Sequence, residues 1–350
     1  MTLLQAGIEA VERGIVPDAI TRSAIRRLCA HRLQELESGV SANSEAPFLR
    51  SLRTSPIALV PGAANQQHYE LPPEFFAAFL GPQRKYSCCY WPEGVQQLED
   101  AEEAALRTTA ERGELSDGQE ILELGCGWGS LSLWMAANYP QSRIVAVSNS
   151  TAQKRFIDAE AAARGLSNLQ VVTVDMNDFG PAKHAALNRT FDRVVSVEMF
   201  EHMRNFPKLL QRIAARLKPQ GKLFVHHFCH RRHTYPFETE GETNWMGRHF
   251  FTGGIMPSFD LLRHFDEDLE VVRQWHWNGT NYQRTAEAWL ENFDRNERQI
   301  RPILRDAYGV SDARRWFRRW RVFLLSVSEL FGYGGGDEWF VTHTLMQHNG

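Results

Sequence analysis

Hydrophobic positions alternate between two periods along most of the chain. Short apolar runs, typical of buried strands, are followed by segments whose apolar residues recur at helical spacing. The strands are predicted at 119–124, 143–147, 169–174, 191–197 and 222–227, and the helices at 96–112, 131–138, 152–164 and 206–217. Strands that alternate with helices form a parallel sheet with helices on both faces. The pattern therefore predicts a doubly wound, mostly parallel, Rossmann-like α/β sheet, which binds ligands at the carboxyl ends of its strands.

Helical spacing also marks the first 38 residues, for which we expect one or two amphipathic helices with their arginines in solvent. The apolar side of these helices holds Ile20, Ile25, Leu28 and Leu33. The polar, turn-rich segment Ser38–Pro47 is typical of a linker. The sequence thus predicts an N-terminal helical extension with a linker over residues 1–62 and a main domain over residues 63–350.

Residues 228–300 break the strand and helix rhythm with many aromatic residues and glycines. We interpret this segment as an insertion that covers the substrate. A helix is predicted over 312–331 and a closing strand over 338–346. The basic and aromatic stretch Arg314–Arg321 has two interpretations: a helix resting on an anionic membrane, or an amphipathic helix with buried tryptophans and solvated arginines. We favour the second.

The composition excludes several classes of function. Hydrophobic residues make up 43% of the chain, charged residues make up 23%, and the formal net charge is −3, which gives no global attraction to nucleic acid. The sequence shows no apolar run that would span a membrane and no secretory leader, and we expect a cytoplasmic protein. Five scattered cysteines indicate reduced thiols rather than disulfides.

The glycine-rich stretch Ile121–Ser130 reads as a strand that turns tightly into a helix. Such turns bind dinucleotides, phosphates or S-adenosylmethionine (SAM). The glycines follow G-x-G-x-G rather than the dinucleotide G-x-G-x-x-G, no phosphate-loop lysine follows, and the second strand lacks a terminal acid. SAM needs backbone room for its methionine part, groups for its ribose and a polar edge for adenine. We assign these to Gly125 and Gly127, to Ser148, Asn149 and Gln153, and to Asp175.

A second chemical centre is Glu198-Met-Phe-Glu-His202, directly after a predicted strand. If a helix begins there, Glu198, Glu201 and His202 share one face. Two carboxylates beside an imidazole attract a cationic amine and can accept its proton. The alternative is an ordinary acidic first turn favoured by the helix dipole.

Two further clusters have a weaker meaning. The histidines of 226–233 suggest a metal, but His226 and His227 would point to opposite faces of a strand, which argues against a shared ion. His226 is the one we expect to face the acceptor pocket. The aromatic residues of 67–76 and 86–92 are equally consistent with a lid over the ligand and with plain packing.

Taken together, these motifs resemble the cyclopropane-fatty-acid synthase superfamily of SAM methyltransferases, and within it the coclaurine N-methyltransferase branch. The resemblance covers nearly the whole chain. The motifs that carry it include Gln67-His-Tyr-Glu, Tyr86-Ser-Cys-Cys-Tyr-Trp, Leu122-Glu-Leu-Gly-Cys-Gly-Trp-Gly, Val197-Glu-Met-Phe-Glu-His, Phe250-Phe-Thr-Gly-Gly and Asn278-Gly-Thr-Asn-Tyr-Gln-Arg-Thr.

The resemblance implies a SAM-dependent N-methyltransferase acting on a small, aromatic or cyclic amine by direct in-line transfer. Tyr86 and Ser87 would hold the methionine end of SAM, and Met176 would border adenine beside Asp175. Glu201 and His202 would act on the amine, with Glu198 beside them. The alternative is a lipid methyltransferase at a membrane surface. It would use bicarbonate as its base, bound by Cys88, Glu201, His226 and Tyr282. A homodimer stays an open alternative.

Overall fold

The computed structural model describes residues 2–38, 42–60, 62 and 71–349. Within these residues a seven-stranded sheet has the order β3-β2-β1-β4-β5-β9-β8. Strands β1 to β5 pair in parallel, and β9 runs antiparallel to both β5 and β8. The strands are β1 (Glu120–Leu124), β2 (Arg143–Ser148), β3 (Leu169–Thr173), β4 (Phe191–Val197), β5 (Leu217–His230), β6 (Tyr235–Pro236), β7 (Ile255–Met256), β8 (Leu269–Trp277) and β9 (Trp339–His348), with β6 and β7 forming a separate pair. The predicted doubly wound, mostly parallel sheet is confirmed.

Helices flank the sheet on both faces. They are α1 (Leu3–Glu12), α2 (Asp18–Glu37), α3 (Ala42–Ser51), α4 (Pro73–Ala77), α5 (Leu98–Arg112), α6 (Ser130–Asn138), α7 (Thr151–Ala163), α8 (Phe206–Ala214), α9 (Trp245–His249), α10 (Thr280–Arg295) and α11 (Glu297–Phe331). Gly309 interrupts α11 with a φ of 78°. None of the helices in the described ranges is long and apolar enough to cross a membrane.

Alternate residues of the central strands are buried against opposite helical layers. In β1, Leu122 and Leu124 pack in one core cluster with Leu209 of α8, whereas Ile121 packs in another with Met135 of α6. A strand buried on both faces reads as a continuous apolar run. This is why hydrophobic pattern alone located the central strands correctly.

The second N-terminal helix buries only part of the predicted apolar side. Ile25 and Leu33 pack on the core, whereas Ile20 is 59% exposed and Leu28 is 40% exposed. Arg26 and Arg27 are exposed, as expected. Arg22 is not, because it pairs with acids of α10 and α11.

The basic stretch of α11 likewise pairs with acids of the N-terminal helices. Arg319 contacts Glu12 at 3.0 Å, and Arg321 contacts Asp18 at 2.9 Å. Trp320 is fully buried, as expected, and Trp316 is half-buried. The expectation of solvated arginines was wrong for Arg319 and Arg321, whose guanidinium groups tie α1 and α2 to α11.

Two predicted boundary segments hold regular structure. Part of the predicted linker belongs to α3. Two residues of this helix hold it in place: Phe48 packs on the core, and Glu45 accepts a hydrogen bond from the backbone of Thr234. Residues 39–41 of that linker lie outside the described residues. The predicted insertion 228–300 contains β8 and all of α10. The segment that departs from the sheet is therefore 231–268, and β8 escaped prediction because an edge strand is only half apolar.

Candidate active site

A cavity opens at the carboxyl ends of β1, β2 and β4. Of the predicted site residues, the cavity is lined by Tyr86, Ser87, Gly125, Gly127, Ser148, Asn149, Gln153, Met176, Glu198 and His202. The sheet thus brings together residues that are more than a hundred positions apart in the chain.

The glycine turn forms the floor of the cavity. Gly125 has a φ of 80°, and a Cβ there would lie 2.6 Å from Met199 Cγ. Gly127 has a φ of 51°, and a Cβ there would project into open space. Both positions require left-handed backbone, which glycine adopts without strain. The turn therefore lets a ligand approach the bare main chain after β1.

The end of β2 supplies polar groups with a free donor. Ser148 Oγ donates to Gln153 Oε1 at 2.6 Å, and both side chains are buried. Gln153 Nε2 is buried and has no hydrogen-bond partner among the described residues. A buried donor of this kind is costly unless a ligand accepts from it. The amide therefore fits a ligand that carries hydroxyl groups, such as a ribose.

Tyr86 and Ser87 approach from the segment before α5. Ser87 Oγ accepts a hydrogen bond from the buried ammonium group of Lys85 at 2.6 Å. The Tyr86 ring packs against Phe76 and Trp289, with centroids 5.5 and 5.7 Å away. Tyr86 therefore both lines the cavity and belongs to the aromatic core. The part of the predicted lid at 67–70 lies outside the described residues.

Asp175 does not line the cavity, although its neighbours Val174 and Met176 do. Its carboxylate caps a short turn by accepting the backbone N–H of Asn177 at 2.7 Å. The assignment of Asp175 to adenine stays a prediction.

Glu198 lines the cavity at the end of β4. Its Oε1 accepts hydrogen bonds from the Cys88 backbone N–H at 2.9 Å and from His226 Nε2 at 3.2 Å. Its Oε2 accepts a hydrogen bond from the Tyr282 hydroxyl at 2.7 Å. Only 10% of the side chain is exposed. The site thus surrounds one carboxylate with three donors.

The predicted helix through Glu198, Glu201 and His202 is wrong. Glu198 has a φ of 48°, and only a short 3₁₀ turn, Phe200–His202, follows it. The turn separates the two carboxylates instead of placing them on one face. Glu201 is fully buried, accepts the Phe228 backbone N–H at 2.8 Å, and does not line the cavity. His202 lines the cavity and stacks on Phe251 at 5.7 Å.

The two carboxylates have opposite protonation states. Burial disfavours the charged form of Glu198, but the hydrogen bond from His226 and the nearby charge of Lys85 hold its pKa below the ordinary value. Burial, together with the charge on Glu198, raises the pKa of Glu201 well above its ordinary value. Burial lowers the pKa of His202 to about 4. At neutral pH the cavity therefore presents an ionised Glu198 and a neutral His202.

The histidines of β5 contact either Glu198 or the protein backbone. His226, which was expected to face the acceptor pocket, does not line the cavity but contacts Glu198, which does. The ring of the buried His227 contacts the backbone oxygen of Phe228. No cluster of metal-ligating side chains occurs in residues 2–38, 42–60 and 71–349. Sequence reasoning missed Lys85 and His343, both buried beside this site, because neither belongs to a local motif that marks it.

Comparison with known proteins gives relatives over nearly the whole chain. Residues 61–337 match the family model of the mycolic acid cyclopropane synthetases. The (S)-coclaurine N-methyltransferase of Thalictrum flavum subsp. glaucum is 35% identical over 97% of this chain and 94% of its own length. The cyclopropane-fatty-acyl-phospholipid synthase of Escherichia coli strain K12 is 33% identical over 65% of this chain and 56% of its own length.

A solved structure of coclaurine N-methyltransferase bound to N-methylheliamine and SAH has a TM-score of 0.92 and 34% identity. It covers 99% of this chain, and this chain covers all of it. SAH is the product that SAM leaves after methyl transfer. The chain therefore belongs to the mycolic acid cyclopropane synthetase family, and it is a SAM-dependent methyltransferase.

Proposed function

We propose that this enzyme methylates the nitrogen of a small aromatic or cyclic amine. The observation that carries the proposal is the Glu198 carboxylate, which lines the cavity and accepts hydrogen bonds from the Cys88 backbone N–H, His226 and Tyr282. A carboxylate in such surroundings attracts a cationic amine. The names of the relatives support the same class, since coclaurine and N-methylheliamine are methylated on nitrogen.

The residues at the ends of β1 and β2 fit SAM. Gly125 and Gly127 leave room for its methionine part, and the free amide donor of Gln153 suits a ribose hydroxyl. Tyr86 and Ser87, which line the same cavity, would hold the methionine end. When bound, SAM supplies a methyl group attached to a positively charged sulfur.

Glu198 would orient the acceptor and manage its proton. A cationic amine has no free lone pair, so Glu198 would accept one N–H proton before or during methyl transfer. For a general base this contributes about 10²–10⁴ to the rate. Hydrogen bonds from Tyr282 and His226 keep the carboxylate aimed at the cavity.

His202 and Glu201 would have secondary roles. A neutral imidazole with a pKa of about 4 is a weak base, so we assign His202 to orienting the amine by hydrogen bonding. Stacking on Phe251 fixes the plane of its ring. Glu201 is neutral and turned to the backbone of Phe228, and supports the turn that carries His202.

The lipid alternative requires bicarbonate, and Glu198 takes the position that this ion would need. Cys88, His226 and Tyr282 are three of the four residues that the family resemblance assigns to bicarbonate. All three hydrogen-bond to the Glu198 carboxylate. A carboxylate supplied by the chain therefore stands in for a bound carbonate group, which favours the amine.

The proposal is tested by measuring methyl transfer from labelled SAM to a panel of tetrahydroisoquinolines and phenethylamines, beside vesicles of unsaturated phospholipid. We expect labelled N-methyl products from the amines and none from the vesicles. Transfer to the phospholipid with no transfer to any amine would refute the proposal.

A further inference from the structure

A row of hydrogen bonds runs from the end of α5 to Glu198 through two buried histidines. Arg112 Nη1 lies 3.1 Å from His343 Nδ1, and His343 Nε2 lies 2.8 Å from His226 Nδ1. His226 Nε2 in turn lies 3.2 Å from Glu198 Oε1. The two histidines are direct partners across the antiparallel pair β5–β9, and neither is exposed. One ring therefore joins the other without an intervening group.

The arginine fixes the direction of every bond in this row. A guanidinium group has donors and no acceptor, so His343 Nδ1 must accept. The proton of a neutral His343 then sits on Nε2 and is donated to His226 Nδ1. The proton of His226 sits on its own Nε2 and is donated to Glu198. If the proton of His343 were on Nδ1 instead, its N–H would point at the Arg112 N–H, and neither group could accept a hydrogen bond.

Packing holds the row in place. The indole of Trp277 contacts the His343 ring at 4.5 Å and the His226 ring at 5.4 Å. The guanidinium group of Arg112 lies over Trp275, 5.3 Å from the ring centroid. Burial lowers the pKa of His226 to about 4 and that of His343 well below its ordinary value, so both rings are neutral.

We propose that Arg112 and His343 are positioning residues that fix the tautomer of His226 and thereby keep Glu198 ionised. The proposal rests on the role of Glu198 in the proposed function. A cation at the far end polarises both imidazoles toward the carboxylate, in the sense that strengthens the hydrogen bond to an anion. Arginine cannot accept a proton, so the row holds the charge of Glu198 and does not conduct protons away from it.

Other groups also face Glu198, and they stay constant when Arg112 is changed. They are the ammonium of Lys85, the Tyr282 hydroxyl, the Cys88 backbone N–H, the buried Glu201 and His202. A change in the pH dependence of an Arg112 variant therefore reports on the row of hydrogen bonds.

The first test needs no variant. In ¹⁵N-histidine NMR spectra of the full chain, assigned with His226→Gln and His343→Gln, both residues should be neutral with the proton on Nε2. A proton on Nδ1 of either ring would overturn the proposal. The spectra need no amine, so this result stands even if no amine is methylated, whereas that failure would count against the proposed function.

The second test compares Arg112→Met with Arg107→Met, an exposed arginine of the same helix. Arg112→Met should mix the His343 tautomers and move the acid limb of kcat/KM upward by about one pH unit. Arg112→Lys should restore both, and Arg107→Met should leave both unchanged. Unchanged tautomers and an unchanged limb in Arg112→Met would overturn the proposal.

Discussion

Replacing Tyr282 with Phe removes one donor from Glu198 and leaves the other two in place. The Tyr282 hydroxyl lies 2.7 Å from Oε2, whereas the remaining donors both reach Oε1. The phenyl ring would keep its stacking on Phe331, with centroids 4.5 Å apart, so the fold should be retained. The change therefore isolates a single hydrogen bond to a buried anion.

The size of the effect follows from the charge of the acceptor. A hydrogen bond to a charged group contributes about 1.5–3 kcal/mol. One pKa unit corresponds to about 1.36 kcal/mol, so the pKa of Glu198 should rise by about 1–2 units. A higher pKa means that the ionised form is lost at a higher pH. The acid limb of kcat/KM for the amine should therefore move upward by the same amount.

The assay is the pH profile of kcat/KM at saturating SAM. Tyr235→Phe is a matched control, because it removes another buried hydroxyl, one that accepts the Trp339 indole N–H and does not touch Glu198. The control should keep the wild-type limb. A Tyr282→Phe profile that overlays the wild-type profile would show that this hydroxyl does not hold Glu198 ionised.

Three further results are expected. Glu12→Ala leaves Arg319 and the Trp245 indole N–H without their acceptor, and should cost about 3 kcal/mol in urea unfolding. Glu9→Ala, at a more exposed pair, should cost less than about 1 kcal/mol, and equal losses would contradict this account. Gly127→Val should weaken SAM binding in calorimetry, because the valine side chain would fill the open space above the turn and would be strained at a left-handed φ. Unchanged affinity would argue against the glycine turn as the floor of the SAM site. Three histidines, His202, His226 and His227, have folded pKa values of about 4, below the unfolded value of about 6.5. The free energy of unfolding should therefore be highest above about pH 6.5 and fall toward pH 4. A free energy of unfolding that does not change over this range would contradict the neutral state of these histidines in the folded protein.

The central sheet could be predicted from hydrophobic pattern because its strands are buried on both faces. The edge strand β8 could not, since it alternates between buried and exposed positions. The buried face of α2 was predicted only in part, and one reason is electrostatic: acids more than 260 residues away pair with Arg22. Pattern within one helix contains no information about such distant partners.

The candidate site was predictable to a similar degree. Residues in turns directly after strands, such as Gly125 and Asn149, were located because topology brings strand ends together. The arrangement of Glu198 and Glu201 could not be predicted in this way. It depends on a left-handed backbone at Glu198, which is incompatible with the predicted helix. His343 acquires its meaning only through the cross-strand register that places it opposite His226.

The most direct test of the central claim is the kinetics of Glu198→Gln with the best amine of the panel. The amide keeps the size of the side chain but cannot carry the negative charge. We expect kcat/KM for the amine to fall at least about 100-fold, within the range for loss of a general base. The affinity for SAM, measured by calorimetry, should stay within about twofold, because the residues proposed to bind SAM are unchanged. A Glu198→Gln enzyme that methylates the amine at the wild-type rate would contradict the account.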